Sequence, residues 1–185
     1  MSPLPADLGE GAVLRRYVAD DLEALWAAVE AERDRLGVWM PWVEGTRTIE
    51  DQRVWLDRVV ASESDLNGTG LWVGEEFAGG VGLSFGEFDI SAEIGYWIRS
   101  VHQGRGFVTR SVGALTDIAF RERGVHRVVI RAGVDNVRSR AVPERLGFTL
   151  EGVERGGGKG AGGFYDLAVY AILENEWTGP GSSTP

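Results

Sequence analysis

The chain has 185 residues, a mass of 20.1 kDa and a formal net charge of −9, from 28 acidic and 19 basic side chains. At this length we expect a single domain with a sizeable core. The lack of cysteine excludes disulfides, thiolate metal sites and a thiol nucleophile. His102 and His126 are too far apart for an HExxH metal site, so no metal is expected. The acidic balance argues against general nucleic-acid binding, which needs clustered basic side chains.

The sequence carries no membrane or targeting signal. No apolar run approaches the ~18 residues of a membrane span, and residues 1–11 lack the basic start and apolar stretch of a signal peptide. We therefore expect no membrane association and a cytoplasmic location. Residues 1–11 and 178–185 are predicted to be flexible tails around one domain at residues 12–177.

The first part of the domain is predicted to contain one strand followed by two helices. The strand covers residues 13–18. Asp20 is the predicted N-cap of the first helix, with Glu23 three residues on as in a capping box, and Gly37 is its predicted end. Thr48 with Asp51 is predicted to start the second helix. The apolar side chains on one side of this second helix are predicted to be Val54, Trp55, Val59 and Val60.

The rest of the domain alternates strands with helices. Strands are predicted at residues 71–77, 80–88, 93–99, 126–134, 148–153 and 165–173. The first two form a hairpin with a glycine-containing turn. A long helix after the third strand ends at Gly124, and a short helix covers residues 139–146. The last two strands flank residues 156–163, a glycine-rich stretch predicted to be a mobile loop. This order indicates an α/β (α+β) fold, in which a mixed sheet has helices on both faces.

A glycine turn connects the third of these strands to the long helix. Its sequence is Gln103-Gly104-Arg105-Gly106, with no Ser, Thr, Asp or Asn directly before the helix to cap its amides. Uncapped N–H groups at a helix start bind phosphate, and glycine lets the backbone approach it closely. The Arg105 charge and the Thr109 hydroxyl would add to such a site. A tight strand-to-helix connection would use the same residues, so the turn alone leaves both interpretations open.

Two motifs together resemble the GNAT family of N-acetyltransferases. The stretch from Gln103 to Val108 is similar to the family signature Gln/Arg-x-x-Gly-x-Gly/Ala, with valine in the last position. Downstream, Asn136 and Ser139 fit the pattern Asn-x-x-Ser, and residues 144–148 (ERLGF) resemble the Glu-Lys-x-Gly-Phe segment of the family. The pair of motifs is much more specific than either one alone.

Three other segments resemble the branch of this family that contains the ribosomal-protein N-terminal acetyltransferases. They are residues 36–42 (LGVWMPW), 93–98 (EIGYWI) and 166–177 (DLAVYAILENEW). The resemblance covers about residues 12–177. It implies the GNAT fold, a mixed and mostly antiparallel central sheet that is splayed between its fourth and fifth strands, with helices on both faces.

The resemblance also implies acetyl-CoA as the cofactor and residues that would hold it. The pantetheine would pair with the backbone near Ile98 and Val101, in the gap between the splayed strands. Asn136 and Ser139 would contact the cofactor arm near the thiol. The pyrophosphate would lie on the amides of Gln103, Gly104, Arg105, Gly106, Phe107, Val108 and Thr109.

Acyl transfer to an amine needs a neutral nucleophile, a donor for the developing oxyanion and a proton for the leaving thiolate. By resemblance the Ile98 amide is the oxyanion donor. Ser139 is the predicted acid, with helix capping as its alternative role. Glu93 is the predicted base, acting through water, with a surface carboxylate or one held by an arginine as the alternative. Pro143 stands where the wider family has a tyrosine acid and is expected to bend the short helix, so the acid is Ser139 or solvent.

The predicted acceptor is a primary amine, either a protein N-terminal α-amine or a cationic small molecule. Trp39, Trp42 and Glu93 are the predicted acceptor-binding residues, and core packing is the alternative role of the tryptophans. Residues 1–92 contain 18 acidic and 7 basic side chains, whereas residues 93–185 contain 10 and 12. We therefore expect an acidic acceptor side and an acceptor KM that rises with salt.

One other function fits the same sequence. A non-catalytic domain that binds or senses acyl-CoA would keep the glycine turn and lose the chemistry, which Pro143 and the uncertain base leave open. Turnover of acetyl-CoA separates this alternative from an N-acetyltransferase. The chain is expected to be a monomer or a homodimer.

Overall fold

The computed structural model describes residues 4–62, 66, 68–86 and 90–179. Within these residues the strands are β1 (Ala6–Gly9), β2 (Ala12–Arg16), β3 (Thr69–Val73), β4 (Glu76–Phe85), β5 (Ser91–Tyr96), β6 (Arg127–Gly133), β7 (Thr149–Gly160) and β8 (Gly163–Leu173). The α-helices of the same residues are α1 (Leu22–Gly37), α2 (Trp42–Gly45), α3 (Ile49–Ala61), α4 (Phe107–Arg121) and α5 (Val137–Arg145).

The strands form one mixed sheet in the order β1-β2-β3-β4-β5-β6-β8-β7. Neighbouring strands are antiparallel except for β5 and β6, which are parallel. The β5–β6 pairing runs only from Ser91–Arg127 to Glu93–Val129. Beyond this point the two strands separate, which confirms the predicted splay in the middle of the sheet.

The N-terminal tail was predicted as flexible, and this is wrong for its second half. Residues Ala6–Gly9 pair with β2, while Leu4 and Leu8 are buried in the main core. Their apolar side chains gain more from burial beside the edge of the sheet than they would in water. Residues 1–3 and 180–185, the outer parts of the two predicted tails, lie outside the described residues.

Two hydrophobic clusters hold helices against opposite faces of the sheet. The larger one packs α4 against the sheet through Phe107, Val112, Leu115 and Ala119. The smaller one packs α1 and α3 against β2, β3 and β4 through Leu22, Leu25, Leu56, Val59, Trp72 and Phe77. Helices on both faces are therefore confirmed. No helix within the described residues combines the length and apolar character that crossing a membrane requires.

The start of α1 and the buried side of α3 differ from prediction. The helix α1 begins one residue later than expected, because Asp21 rather than Asp20 precedes it, and the Asp21 carboxylate bonds to Arg15 instead of capping the helix. The predicted start of α3 at Thr48 is confirmed, and Thr48 and Asp51 form a capping box there. The buried side of α3 carries Gln52, Leu56 and Val59, while Val54 and Val60 are exposed.

Two turns also lie elsewhere than predicted. The β3–β4 turn is at residues 74–75, so the glycines at 79 and 80 remain inside β4. Part of the predicted strand at residues 80–88 lies outside the described residues. The stretch at residues 156–163, expected as a mobile loop, belongs to the β7–β8 hairpin, whose turn is at Ala161 and Gly162. Composition alone predicted a loop, whereas a close approach to the backbone at the end of α1 explains Gly160, and packing against Tyr165 explains Gly158.

Candidate active site

The glycine turn leaves the start of α4 open to a ligand. Gly104 and Gly106 have φ angles of +77° and +73°, which a side chain with a Cβ adopts only with strain. Gly106 is the N-cap of α4, no side chain caps the helix, and its first turn has no acidic residue. The first amides of α4 therefore keep their N–H groups for an anion, and the helix dipole favours negative charge there.

A cleft of about 1140 Å³ begins at this turn. It follows the gap between β5 and β6, because no strand fills the space after they separate. Most of the predicted site residues line it, namely Trp39, Ile98, Gln103, Gly104, Gly106, Phe107, Val108, Thr109, Asn136 and Ser139. Elements distant in sequence thus meet around one elongated space.

Five arginines and one histidine line this cleft, and no acidic residue of the described chain does. They are Arg35, His102, Arg110, Arg131, Arg138 and Arg145. The buried Nε of Arg110 has no hydrogen-bond partner among the described residues. This lining fits a polyanionic ligand such as a phosphorylated cofactor. It does not show the acidic acceptor side that the charge distribution suggested.

Four predicted site residues lie outside the cleft lining. Val101 is 68% exposed, and the Arg105 guanidinium stacks on the Phe107 ring at 4.5 Å. Trp42 packs against Trp97 with ring centroids 6.4 Å apart. Glu93 is the fourth, and its side chain is partly exposed. The backbone amides at the turn remain available whatever the Arg105 side chain contacts.

The Glu93 carboxylate is held by an arginine. The Nη1 atom of Arg131 donates to its Oε2 at 2.5 Å, and the Nε atom of the same arginine donates to Glu154 at 3.1 Å. All three side chains are partly exposed. The alternative role raised for Glu93 from the sequence therefore matches its contacts.

Ser139 is hydrogen-bonded to a tyrosine and does not cap α5. Asn136 is the N-cap of α5, since its Oδ1 accepts from the Ser139 amide at 3.2 Å. The Ser139 hydroxyl donates to the Tyr96 hydroxyl at 3.2 Å, which in turn donates to the Ser139 carbonyl at 2.8 Å. Burial raises the pKa of Tyr96 well above its usual range, so the phenol stays neutral. Pro143 lies inside α5, which continues to Arg145.

The backbone after β5 presents Ile98 to the cleft. The N–H groups of Trp97 and Arg99 donate to β4, at 2.8 Å each. Because peptide directions alternate along an extended chain, the N–H and carbonyl of Ile98 point the other way, into the gap left by β6. An amide so placed can stabilise negative charge on a bound carbonyl oxygen.

Trp39 forms the wall at the far end of the cleft. Its ring packs edge-on against Tyr165 at 5.2 Å, and the Tyr165 hydroxyl donates to the Trp39 carbonyl at 2.5 Å. A second cleft of about 840 Å³ lies beyond it, between the end of α1, α2 and the β7–β8 hairpin. Met40 lines both clefts. Met40 therefore lies between the two spaces.

Sequence reasoning missed several lining residues. Alternation along β5 placed the side chains of Tyr96 and Glu93 on opposite faces of the strand. The contact of Tyr96 with α5 depends on tertiary packing and has no signal in the sequence. Arg35 and Arg131 belong to none of the sequence motifs described above. The α5 arginines Arg138 and Arg145 are seven residues apart, which places them on one side of a helix, and this spacing is a signal that could have been used.

An open cleft at a splayed mixed sheet, with an uncapped helix start at one end, defines an acyltransferase of the GNAT class. The profile of the family described as "Acetyltransferase (GNAT) domain" matches residues 12–149. The chain therefore belongs to the GNAT family of acetyltransferases, and it is an N-acetyltransferase.

Individual relatives agree with this assignment. A protein of Bacillus subtilis (strain 168) named "Putative ribosomal N-acetyltransferase YdaF" is 34% identical over 179 residues, which are 93% of this chain and 96% of the relative. A crystal structure described as "Probable acetyltransferase" has 32% identity and a TM-score of 0.84, covering 93% of this chain and 98% of that one. RimL, described as a ribosomal L7/L12 α-N-protein acetyltransferase in complex with coenzyme A, has 25% identity and a TM-score of 0.82, covering 90% and 96%.

Proposed function

We propose that this N-acetyltransferase uses acetyl-CoA to acetylate the α-amine of a protein N-terminus by direct attack. The observation that carries the proposal is one continuous cleft that joins the uncapped start of α4, the Ile98 amide and the Ser139 hydroxyl. A relative named as a ribosomal N-acetyltransferase supports a protein acceptor. The second cleft supports it too, because a chain terminus needs an open approach to the reacting centre.

The cofactor side of the proposal uses the basic end of the cleft. Acetyl-CoA, when bound, supplies an acetyl group activated as a thioester. The amides of Gln103 to Thr109 hold its pyrophosphate, with Arg110 and Arg138 beside them. Ile98 pairs with the pantetheine arm. The free amide group of Asn136 adds a polar contact near the thiol, since its carbonyl oxygen already caps α5.

The chemical step forms a C–N bond and breaks the C–S bond of the thioester. The Ile98 N–H stabilises the charge that develops on the thioester oxygen. The Ser139 hydroxyl donates a proton to the leaving thiolate. The nucleophile's proton passes through water to the Glu93 carboxylate or to solvent. An α-amine, with a pKa of about 8, is more often neutral near pH 7 than a lysine amine at about 10.4, and this favours the α-amine as acceptor.

A mass-spectrometric acceptor screen with acetyl-CoA tests the proposal. Peptides with a free N-terminus and no lysine should be acetylated, whereas the same peptides with a blocked N-terminus and one internal lysine should not. Small cationic amines form the third arm. Cofactor binding without turnover on any acceptor would contradict the proposal and favour a binding domain. Preference for the small amines would overturn the protein acceptor alone.

The residue roles are tested in the same assay. We expect Ser139→Ala to lower kcat by about 10²-fold, the lower end for loss of a general acid, and Glu93→Gln to lower it less because solvent can also take the proton. The matched control is Glu50→Gln, an exposed carboxylate paired with Arg53 on α3. If both site variants retain full kcat, the assigned roles are wrong.

A further inference from the structure

An acidic residue lies on the buried stripe of α1. The apolar stripe repeats at Leu22, Leu25, Val29 and Leu36, and Glu32 occupies the position between the last two. The Glu32 side chain is only 8% exposed. A buried carboxylate is costly unless it is paired and hydrogen-bonded. The hydrogen-bond partners of Glu32 therefore indicate its role.

Glu32 holds the chain segment that follows β5. Its Oε1 accepts from the Ser100 amide at 2.6 Å and from the Ser100 hydroxyl at 2.7 Å. Its Oε2 accepts from the Nε atom of Arg35 at 2.6 Å. Burial by itself would raise the pKa of the Glu32 carboxyl, but these hydrogen bonds outweigh it and lower the pKa below its usual range. The group is therefore a fully bonded carboxylate at neutral pH.

Arg35 extends this contact to the reacting end of the cleft. Its Nη2 donates to the carbonyl of Ile98. The guanidinium lines the cleft, so it reaches Ile98 from the side left empty by β6. One arginine thus joins the buried carboxylate of α1 to the residue whose amide faces the cleft.

The segment needs support because one of its neighbours is missing. The β5–β6 pairing ends at Glu93, and beyond it the backbone N–H groups of Trp97 and Arg99 donate to β4 on one side of the chain. An extended chain bonded on one side can twist about its axis, which would turn the Ile98 amide away. Contacts from α1 to Ile98 and Ser100 oppose this motion from the open side.

We propose that Glu32 and Arg35 are positioning residues that fix the direction of the Ile98 amide for acetyl transfer. The inference rests on the proposed role of Ile98 as oxyanion donor. Misplacement of a catalytic group by about 1 Å can cost up to about 10²-fold in rate. Loss of the contacts that Glu32 and Arg35 make should therefore lower kcat and leave the acceptor KM nearly unchanged, because neither residue needs to contact the acceptor.

The variants Arg35→Met, Arg35→Lys and Glu32→Gln test this. We expect Arg35→Met to lower kcat by about tenfold or more. Arg35→Lys should retain part of the rate, because one ammonium can reach a single acceptor but cannot bridge Glu32 and Ile98 as a guanidinium does. Acceptor KM should change by less than about twofold in each. Guanidinium ion added to Arg35→Ala should restore part of the lost kcat.

The matched control is Arg53→Met, which removes an exposed i,i+3 pair with Glu50 on α3. It should leave kcat unchanged. A thermal melt of each variant distinguishes a kcat lost through misplacement from a kcat lost through unfolding. If Arg35→Met does not fold, Arg35→Lys and Glu32→Gln are measured in its place. Wild-type turnover with full kcat in the Arg35 variants overturns this inference, as does a loss confined to acceptor KM. Absence of wild-type turnover contradicts the proposed function instead.

Discussion

At the scale of single residues, a proline explains why Ser139 and Tyr96 meet. Pro143 has no N–H, so the carbonyl four residues earlier, that of Ser139, receives no helical hydrogen bond from it. The Tyr96 hydroxyl donates to this carbonyl at 2.8 Å and accepts from the Ser139 hydroxyl at 3.2 Å. The proline at the position of the wider family's tyrosine acid thus leaves the Ser139 carbonyl to a different tyrosine, Tyr96.

This explanation predicts a coupling between Tyr96 and Pro143. Tyr96→Phe leaves the Ser139 carbonyl unpaired in a partly buried site, so we expect the free energy of unfolding to fall by about 1–3 kcal/mol in urea denaturation. Pro143→Ala restores an N–H that can bond this carbonyl. The double variant should therefore lose less than the sum of the two single losses. Additive losses would show that the proline and the tyrosine act separately.

At the scale of elements, the β7–β8 hairpin joins the sheet to the end of α1. The Ala161 amide donates to the Gly37 carbonyl at 2.8 Å, and Tyr165 bonds to the Trp39 carbonyl. A Cβ built on Gly160 would lie 2.0 Å from the Val38 carbonyl oxygen. Glycine is required here because two backbones touch. The hairpin thereby helps to fix Trp39 in the lining of the larger cleft.

A matched pair of glycine variants tests this contact. Gly160→Ala should push the hairpin away from α1, lower the free energy of unfolding by about 1–3 kcal/mol as overpacking does, and raise the acceptor KM. Gly162→Ala is the control, because a Cβ there meets nothing within 4 Å. It should leave stability unchanged or slightly higher. Equal effects of the two substitutions in thermal melts and kinetics would contradict the docking role of Gly160.

The hairpin also shows where prediction from sequence ends. Apolar patterns predicted the strands after β1 and the four longer helices, and Thr48 with Asp51 predicted the start of α3, because these signals are local. The glycine motif and the Asn136–Ser139 pattern predicted most of the cofactor end. The strand at residues 156–160, the arginines of the cleft and the Tyr96 contact depend on which elements pack together. Local composition carries no signal for such contacts.

At the scale of the whole molecule, charge is divided between the surface and the cleft. The chain carries a net charge of −9, yet the described cleft lining has five arginines and no carboxylate. A polyanionic donor is repelled by the molecule at long range and attracted once inside the cleft. Salt screens both interactions over a Debye length of about 10 Å at 0.1 M. The short-range attraction at the site should dominate measured affinity, since several charges converge there.

We therefore expect the KM for acetyl-CoA to rise as salt is added, with the acceptor KM less affected. Arg138→Met should raise the acetyl-CoA KM at low salt and flatten its dependence on salt, because Arg138 lies beside the turn with its Nη1 donating to Gln103 at 2.7 Å. Arg53→Met on α3 removes the same charge far from the cleft and should keep the wild-type slope. An acetyl-CoA KM independent of salt in the wild type would mean that the cleft arginines do not bind the cofactor's phosphates.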